Sequence, residues 1–218
     1  LEAVANGERL PMPDLTQPVE DPGPQIDRAD ELQEKWQTER GQVWEVGRHR
    51  LMCGDCTDAD TVGSVFDGAV THSIVTDPPY GIDHEGIVND SPKTVAALYR
   101  AMFDVMPAVD CVIAAFHSPR MFPLWLDVCR ESGQSFERML WLHRLAAKTF
   151  PWRGWIMASD PILLTSLGTP TWPEASDHCH DTYTKTQLED APTGAHTTIK
   201  PVNAVSYTHL RAHETGRN

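Results

Sequence analysis

An α/β sheet, doubly wound and mainly parallel, is the fold class this chain predicts, and three observations carry it. Apolar runs of strand length recur at residues 72–76, 111–116, 136–143 and 162–167. Between the first three lie stretches of helical period, at 91–105 and 119–130. Strand and helix signals in alternation indicate βαβ units. The run Cys111-Val112-Ile113-Ala114-Ala115-Phe116 is apolar without a break, the mark of a strand covered on both faces.

The remaining elements are taken in chain order. Residues 1–30 are rich in Pro and acids (Pro11, Pro13, Pro18, Pro22, Pro24) and read as a disordered or extended linker. A short polar helix fits 29–40, and the linker is taken to end at 40. Residues 43–46 and 49–52 alternate like two strands, with Gly47-Arg48 as the hairpin turn. Asp58 suits an N-cap for a helix over 58–66, with Val62, Val65 and Phe66 on one face. In the helix over 91–105, Val95, Leu98, Met102, Phe103 and Val105 form the apolar side; Pro119 suits the first turn of the next helix. Arg138 and His143 interrupt the strand at 136–143, and Gly168 ends the one at 162–167.

The 218 residues, 40 % hydrophobic and 22 % charged, suffice for one domain with a substantial core. No apolar run reaches the length of a membrane span, and no signal peptide is visible, so no membrane partner is expected. Five scattered cysteines (Cys53, Cys56, Cys111, Cys129, Cys179) fit a reducing cytoplasm better than a disulfide framework. The net charge of −13 weighs against a nucleic-acid partner, although residues 1–40 alone hold ten acids and four bases.

The most informative residues are Asp77-Pro78-Pro79-Tyr80, directly after the strand at 72–76. Two prolines stiffen the loop and remove backbone donors. That leaves the Asp77 carboxylate and the Pro78 carbonyl as two unpaired acceptors beside the Tyr80 ring, at the strand's carboxyl end, where ligands of such sheets bind. Two acceptors next to an aromatic plane suit a planar ligand with an exocyclic amine, such as a nucleobase. The plainer alternative is a rigid Pro-Pro turn with a packed Tyr.

This tetrapeptide resembles the catalytic motif of the DNA N6-adenine/N4-cytosine amino-methyltransferases. Three further segments resemble the same family. Gly54-Asp55, at the end of a strand and turn, looks like its upstream acidic element; Gly81-Ile82-Asp83 and Asn89-Asp90 match the loop after the motif; and His196-Thr197-Thr198-Ile199-Lys200-Pro201 is similar to its lysine-proline element, with Thr197 in place of Pro. The order, catalytic motif before lysine-proline element, is that of the permuted β group.

The resemblance implies a Rossmann-like S-adenosylmethionine-dependent methyltransferase fold, circularly permuted, covering about residues 41–204. The glycine-rich cofactor loop that comes last in that group is not found, so the fold is expected to be incomplete, and a non-catalytic remnant is the alternative. Implied catalytic residues are Asp77, Pro78, Pro79 and Tyr80. Implied cofactor contacts are Asp55, Cys56, Asp77, His196, Lys200 and Pro201, with Asp55 near the adenosine part. The implied substrate is double-stranded DNA, its base flipped out and stacked on Tyr80. Adenine N6 is favoured over cytosine N4 because Asp, not Ser, opens the motif. RNA or protein-amide methylation is the other alternative; those relatives carry Asn there.

The family's target-recognition segment falls at 144–195, where Lys148, Arg153 and Lys185 are candidate DNA contacts; core tryptophans plus a long surface loop is an equal reading of the segment, and the pair Trp152 and Trp155 reads as packing before recognition. An upstream partition-protein-like domain accompanies some members. Asp55 has a second reading as a turn residue. Cys53 and Cys56, with His178, Cys179 and His180, make a weak zinc signal, and no metal is expected. Residues 205–218 resemble translated adapter read-through and are expected to be non-native.

Overall fold

A computed structural model describes residues 3–5, 8–10, 28–84, 87, 89–144, 158–172 and 181–185, and for 3–5, 8–10, 144 and 183–185 the backbone alone. These residues fall into two compact units that divide between Ala69 and Val70, inside the stretch read from sequence as one catalytic domain.

In the first unit the predicted hairpin forms from β3 (Val43–Val46) and β4 (His49–Met52), paired antiparallel with Val46 opposite His49. Gly47 turns the chain at φ 62°, a left-handed angle that glycine takes without a Cβ clash. Two short strands, β1 (Ala3–Ala5) and β2 (Glu8–Leu10), extend the sheet in the order β2-β1-β3-β4. The linker reading of 1–30 did not foresee them: with three residues each, they carry too little pattern to stand out from a Pro-rich background. Helix α1 spans Ala29–Trp36 and buries no residue. Helix α2 (Ala59–Phe66) starts where expected, its N-cap Asp58 accepting the Thr61 N–H at 2.8 Å. Such a cap contributes about 1 kcal/mol.

The second unit holds a five-stranded sheet in the order β5-β6-β8-β7-β9. Its strands are β5 (Thr71–Thr76), β6 (Ala108–Phe116), β7 (Ser135–Arg144), β8 (Ser159–Leu167) and β9 (Thr182–Lys185). β5 and β6 run parallel, as do β7 and β9, but β8 lies antiparallel to both β6 and β7. The sheet is therefore mixed, which corrects the mainly parallel expectation. Parallel neighbours need a crossover, usually helical. The sequence between β7 and β8 carries Pro151 and Gly154 instead of a helical apolar period.

Helix α3 (Pro92–Val105) is opened by a capping box: the Ser91 hydroxyl accepts the Thr94 N–H at 3.2 Å, and the Thr94 hydroxyl accepts the Ser91 N–H at 3.1 Å. Pro92 sits in its first turn. After a 3-10 turn at Pro119–Met121 comes α4 (Phe122–Glu131). Val95, Ala96, Tyr99 and Met102 of α3 join Trp125, Val128 and Cys129 of α4 against Ala115 and Leu163 of the sheet. Tyr99 and Trp125 meet edge to face at 4.0 Å between centroids. Tyr99, absent from the expected apolar face, is wholly buried at its centre. Burial pushes the Cys129 thiol up to about 12 and that of Cys111 to about 11.

Strand neighbours point to opposite faces. Ala114, Phe116, Leu142 and Ile162 accordingly make a second cluster, distinct from that of Ala115 and Leu163. Among the described residues, α3 and α4 both serve the first cluster; Tyr80 packs against the second.

Candidate active site

Because β5, β6, β7 and β9 run the same way and β8 runs against them, four strand ends and one strand beginning share an edge of the sheet. β5 delivers Asp77, β6 delivers His117, β7 ends in His143-Arg144, and β8 begins at Ser159-Asp160. The register fixes the alignment: Thr76 lies opposite Ala115, Phe116 opposite Ile162, and Leu142 opposite Asp160.

At the corner after β5, Pro78 is buried, Asp77 exposed, and Pro79 and Tyr80 half-buried. Tyr80 packs against Ala114, Phe116, Leu142 and Ile162, so this aromatic plane is backed by the sheet. Its hydroxyl donates to Asp77 Oδ1 at 3.0 Å. The carboxylate is thus not the unpaired acceptor expected from sequence, since the tight corner returns the phenol to it three residues later. A carboxylate offers about four lone-pair sites, more than the phenol bond alone uses.

The next loop is folded onto one side chain. Asp90, 4 % exposed, accepts the Gly81 N–H through Oδ1 at 2.6 Å and the His84 N–H through Oδ2 at 2.7 Å. Its carbonyl accepts the Asp83 N–H at 2.8 Å. Gly81 stands at φ 70°, and a Cβ there would lie 2.9 Å from Met121 Cε and 3.3 Å from Pro92 Cα. Glycine is required on both counts.

His117 is buried, 1 % exposed, with Nδ1 2.9 Å from the Ser118 carbonyl. That contact makes Nδ1 the donor and leaves Nε2, which has no hydrogen-bond partner among the described residues, as an acceptor. Burial lowers its proton affinity below the ordinary histidine range; the Ser118 carbonyl opposes this in part. Its ring stacks on Phe122, 6.0 Å between centroids. His143 Nδ1 lies 3.0 Å from Ser159 Oγ, tying the end of β7 to the start of β8. Of these three, the sequence marks His143 as a polar interruption of its strand, while His117 and Ser159 carry no signal but their position at a strand end.

The other predicted residues lie elsewhere. Asp55 and Cys56 belong to the first unit and are exposed. Asp55 Oδ1 accepts both the Thr57 hydroxyl, at 2.7 Å, and the Thr57 N–H, at 2.9 Å. These bonds, the hydroxyl's foremost, hold its carboxyl below the usual carboxylate range. The turn reading of Asp55 is therefore realised, and Oδ2 stays clear of it. Although Cys56 is exposed as a residue, partial burial of its sulfur, then the Asp55 charge, holds the thiol above its ordinary value. Lys148, Arg153, His196, Lys200 and Pro201 lie outside the described residues, as does the side chain of Lys185. So do His178, Cys179 and His180; among the described residues no three His, Cys, Asp or Glu side chains form a metal cluster. No helix among them is long and apolar enough to cross a membrane.

No family model matches the chain, and no curated protein matches it. Among solved structures, the crystal structure of M1.HpyAVI aligns with a TM-score of 0.40 at 14% identity, over 58% of this chain and 62% of that one. The crystal structure of the M1.HpyAVI-SAM complex aligns with a TM-score of 0.43 at 14% identity, over 58% and 59%. The chain thus spans about three fifths of the length of those structures. The functional reading stands on the chain's own residues.

Proposed function

We propose that the chain carries the catalytic corner of an S-adenosylmethionine-dependent methyltransferase acting on the exocyclic amine of a base flipped out of double-stranded DNA, adenine N6 before cytosine N4. One observation carries the reading. Asp77-Pro78-Pro79-Tyr80 leaves the carboxyl end of a parallel strand with an exposed carboxylate bonded to a half-buried phenol.

An exocyclic amine is a poor nucleophile because its lone pair is delocalised into the ring. The Asp77 carboxylate and the Pro78 carbonyl accept its two hydrogens, which favours a pyramidal nitrogen. The Tyr80 ring, packed against the cluster of Phe116 and Ile162, takes the base. Tyr80 also steers Asp77 through the phenol bond, so the acceptor is aimed before the base arrives. Pre-aimed acceptors of this kind supply rate by positioning and electrostatics. Stacking on Tyr80 offsets part of the unstacking cost.

The donor set suits the cofactor. An exposed carboxylate bonded to a phenol is compatible with a sulfonium cation. Asp55, Cys56, Asp77, His196, Lys200 and Pro201 are the proposed contacts. When bound, S-adenosylmethionine supplies an electrophilic methyl group. Lys148, Arg153 and Lys185 are proposed to meet the DNA, and the protein is placed in the cytoplasm.

The test is transfer of radiolabelled methyl to three substrates in parallel: duplex DNA, single-stranded RNA and a glutamine-containing peptide, with cofactor binding followed by calorimetry. Label in adenine of duplex DNA is the expected result. Label confined to RNA or peptide would replace the substrate assignment, and no measurable heat with S-adenosylmethionine would end the catalytic reading for this polypeptide.

A further inference from the structure

We infer that Asp90 is the positioning residue of the catalytic corner, acting through the peptide between Tyr80 and Gly81; the inference rests on the reading of Asp77 and Tyr80 just given. A peptide unit is planar, so holding the Gly81 N–H also holds the Tyr80 carbonyl and the ψ angle of Tyr80. Asp90 Oδ1 grips that N–H at 2.6 Å. Its other oxygen grips His84 at 2.7 Å, and its carbonyl grips Asp83 at 2.8 Å, so one residue closes the 81–90 loop at three points. Hydrogen bonds to a carboxylate are about twice as strong as neutral ones, and these are shielded from water.

The clamp has a rigid base. Asp90 precedes the capping box of α3, and the Thr94 hydroxyl also donates to the Asn89 carbonyl at 2.7 Å. α3 is locked in turn by its buried face of Val95, Ala96, Tyr99 and Met102. On the other side, Gly81 is confined by Met121 and Pro92. The Tyr80 ring is thereby referenced to the helical core and not only to the strand that leads into it.

Amide replacement discriminates this role from simple loop stability. Asp90→Asn keeps the shape but offers one acceptor, turning an NH₂ donor toward a backbone N–H donor. The full chain labelled with 3-fluorotyrosine reports on Tyr80, assigned through Tyr80→Phe, with Tyr99 as an internal monitor of the core. Asp90→Asn is expected to shift or broaden the Tyr80 fluorine line while the Tyr99 line stays in place. Ser91→Ala, which weakens the cap of α3 without touching the carboxylate, is expected to move the Tyr80 line less than Asp90→Asn does. Where the wild type transfers methyl groups, kcat of Asp90→Asn falls by up to about 100-fold, the loss typical of a misplacement near 1 Å, with little change in KM for S-adenosylmethionine. Should Asp90→Asn unfold, read from a collapsed Tyr99 line, Asp90→Glu takes its place, since it keeps the charge and misplaces both oxygens. An unmoved Tyr80 line in a folded Asp90 variant would overturn the inference. A wild type that transfers nothing would count against the methyltransferase reading alone, and the fluorine line would still judge the clamp.

Discussion

β5 and β6 are parallel neighbours, yet their carboxyl ends are opposites. Asp77, after β5, is exposed and shares its charge with the phenol of Tyr80. His117, after β6, is enclosed, stacked on Phe122, and keeps a ring nitrogen without a partner among the described residues. The cause lies just downstream of each strand. Two prolines carry the chain away from the sheet after Asp77, whereas Ser118 leads straight into the turn before α4 and draws His117 beneath it. A polar residue at a strand end becomes reactive surface or buried cost according to the next few residues.

That contrast can be broken in four ways. The largest effect is expected where both ends share a support. Phe116, 1 % exposed, lies in the cluster that backs Tyr80. Phe116→Ala should cost about 3–5 kcal/mol, read from the urea midpoint, and should impair the corner as well. Asp77→Ala also deletes the phenol bond, so by the same measure it should cost only about 0.5–1.5 kcal/mol. It should lower methyl transfer about 10²–10³-fold, the loss typical of one preorganised polar group. Near-normal transfer by this variant would remove Asp77 from the chemistry. Tyr80→Phe keeps the ring and deletes the bond to Asp77. Its expected stability change is about 0.5–1.5 kcal/mol, with a drop in kcat smaller than that of Asp77→Ala.

The smallest effect concerns pH. His117 has a folded-state proton affinity below that of the unfolded chain, mainly through burial. Its contribution to stability is therefore complete above the unfolded pKa near 6.5 and is lost as pH falls below that value toward the folded one. Thermal melts from pH 7.5 to 5 should show an acid-side decline that shrinks in His117→Phe. An identical decline in both proteins would show that other groups cause it.

Much of the fold was legible because its signals are local. The Gly47-Arg48 hairpin, the Asp58 cap and the strands at β5, β6, β7 and β8 are written in runs of a few residues, and the structure places them within a few residues of the expected bounds. The reversal of β8 was not legible, because an apolar run has the same appearance in either direction and only the connection decides. Tyr99 was overlooked because its hydroxyl argues for exposure. Its phenol is enclosed without a partner among the described residues, and burial holds its pKa well above the ordinary value. At the candidate site, the Asp77-Pro78-Pro79-Tyr80 corner announces itself as a rare tetrapeptide. The phenol bond to Asp77, the double grip of Asp90 and the enclosure of His117 depend on where the chain returns, which no short window encodes.

The reversed strand has a further consequence. Since β7 finishes and β8 starts on the same side as Asp77, the segment joining them leaves and rejoins the sheet at a single rim. Its length and chemistry can be exchanged without disturbing a strand pairing. On the proposed reading, a change confined to that segment would leave the Asp77–Tyr80 corner in place.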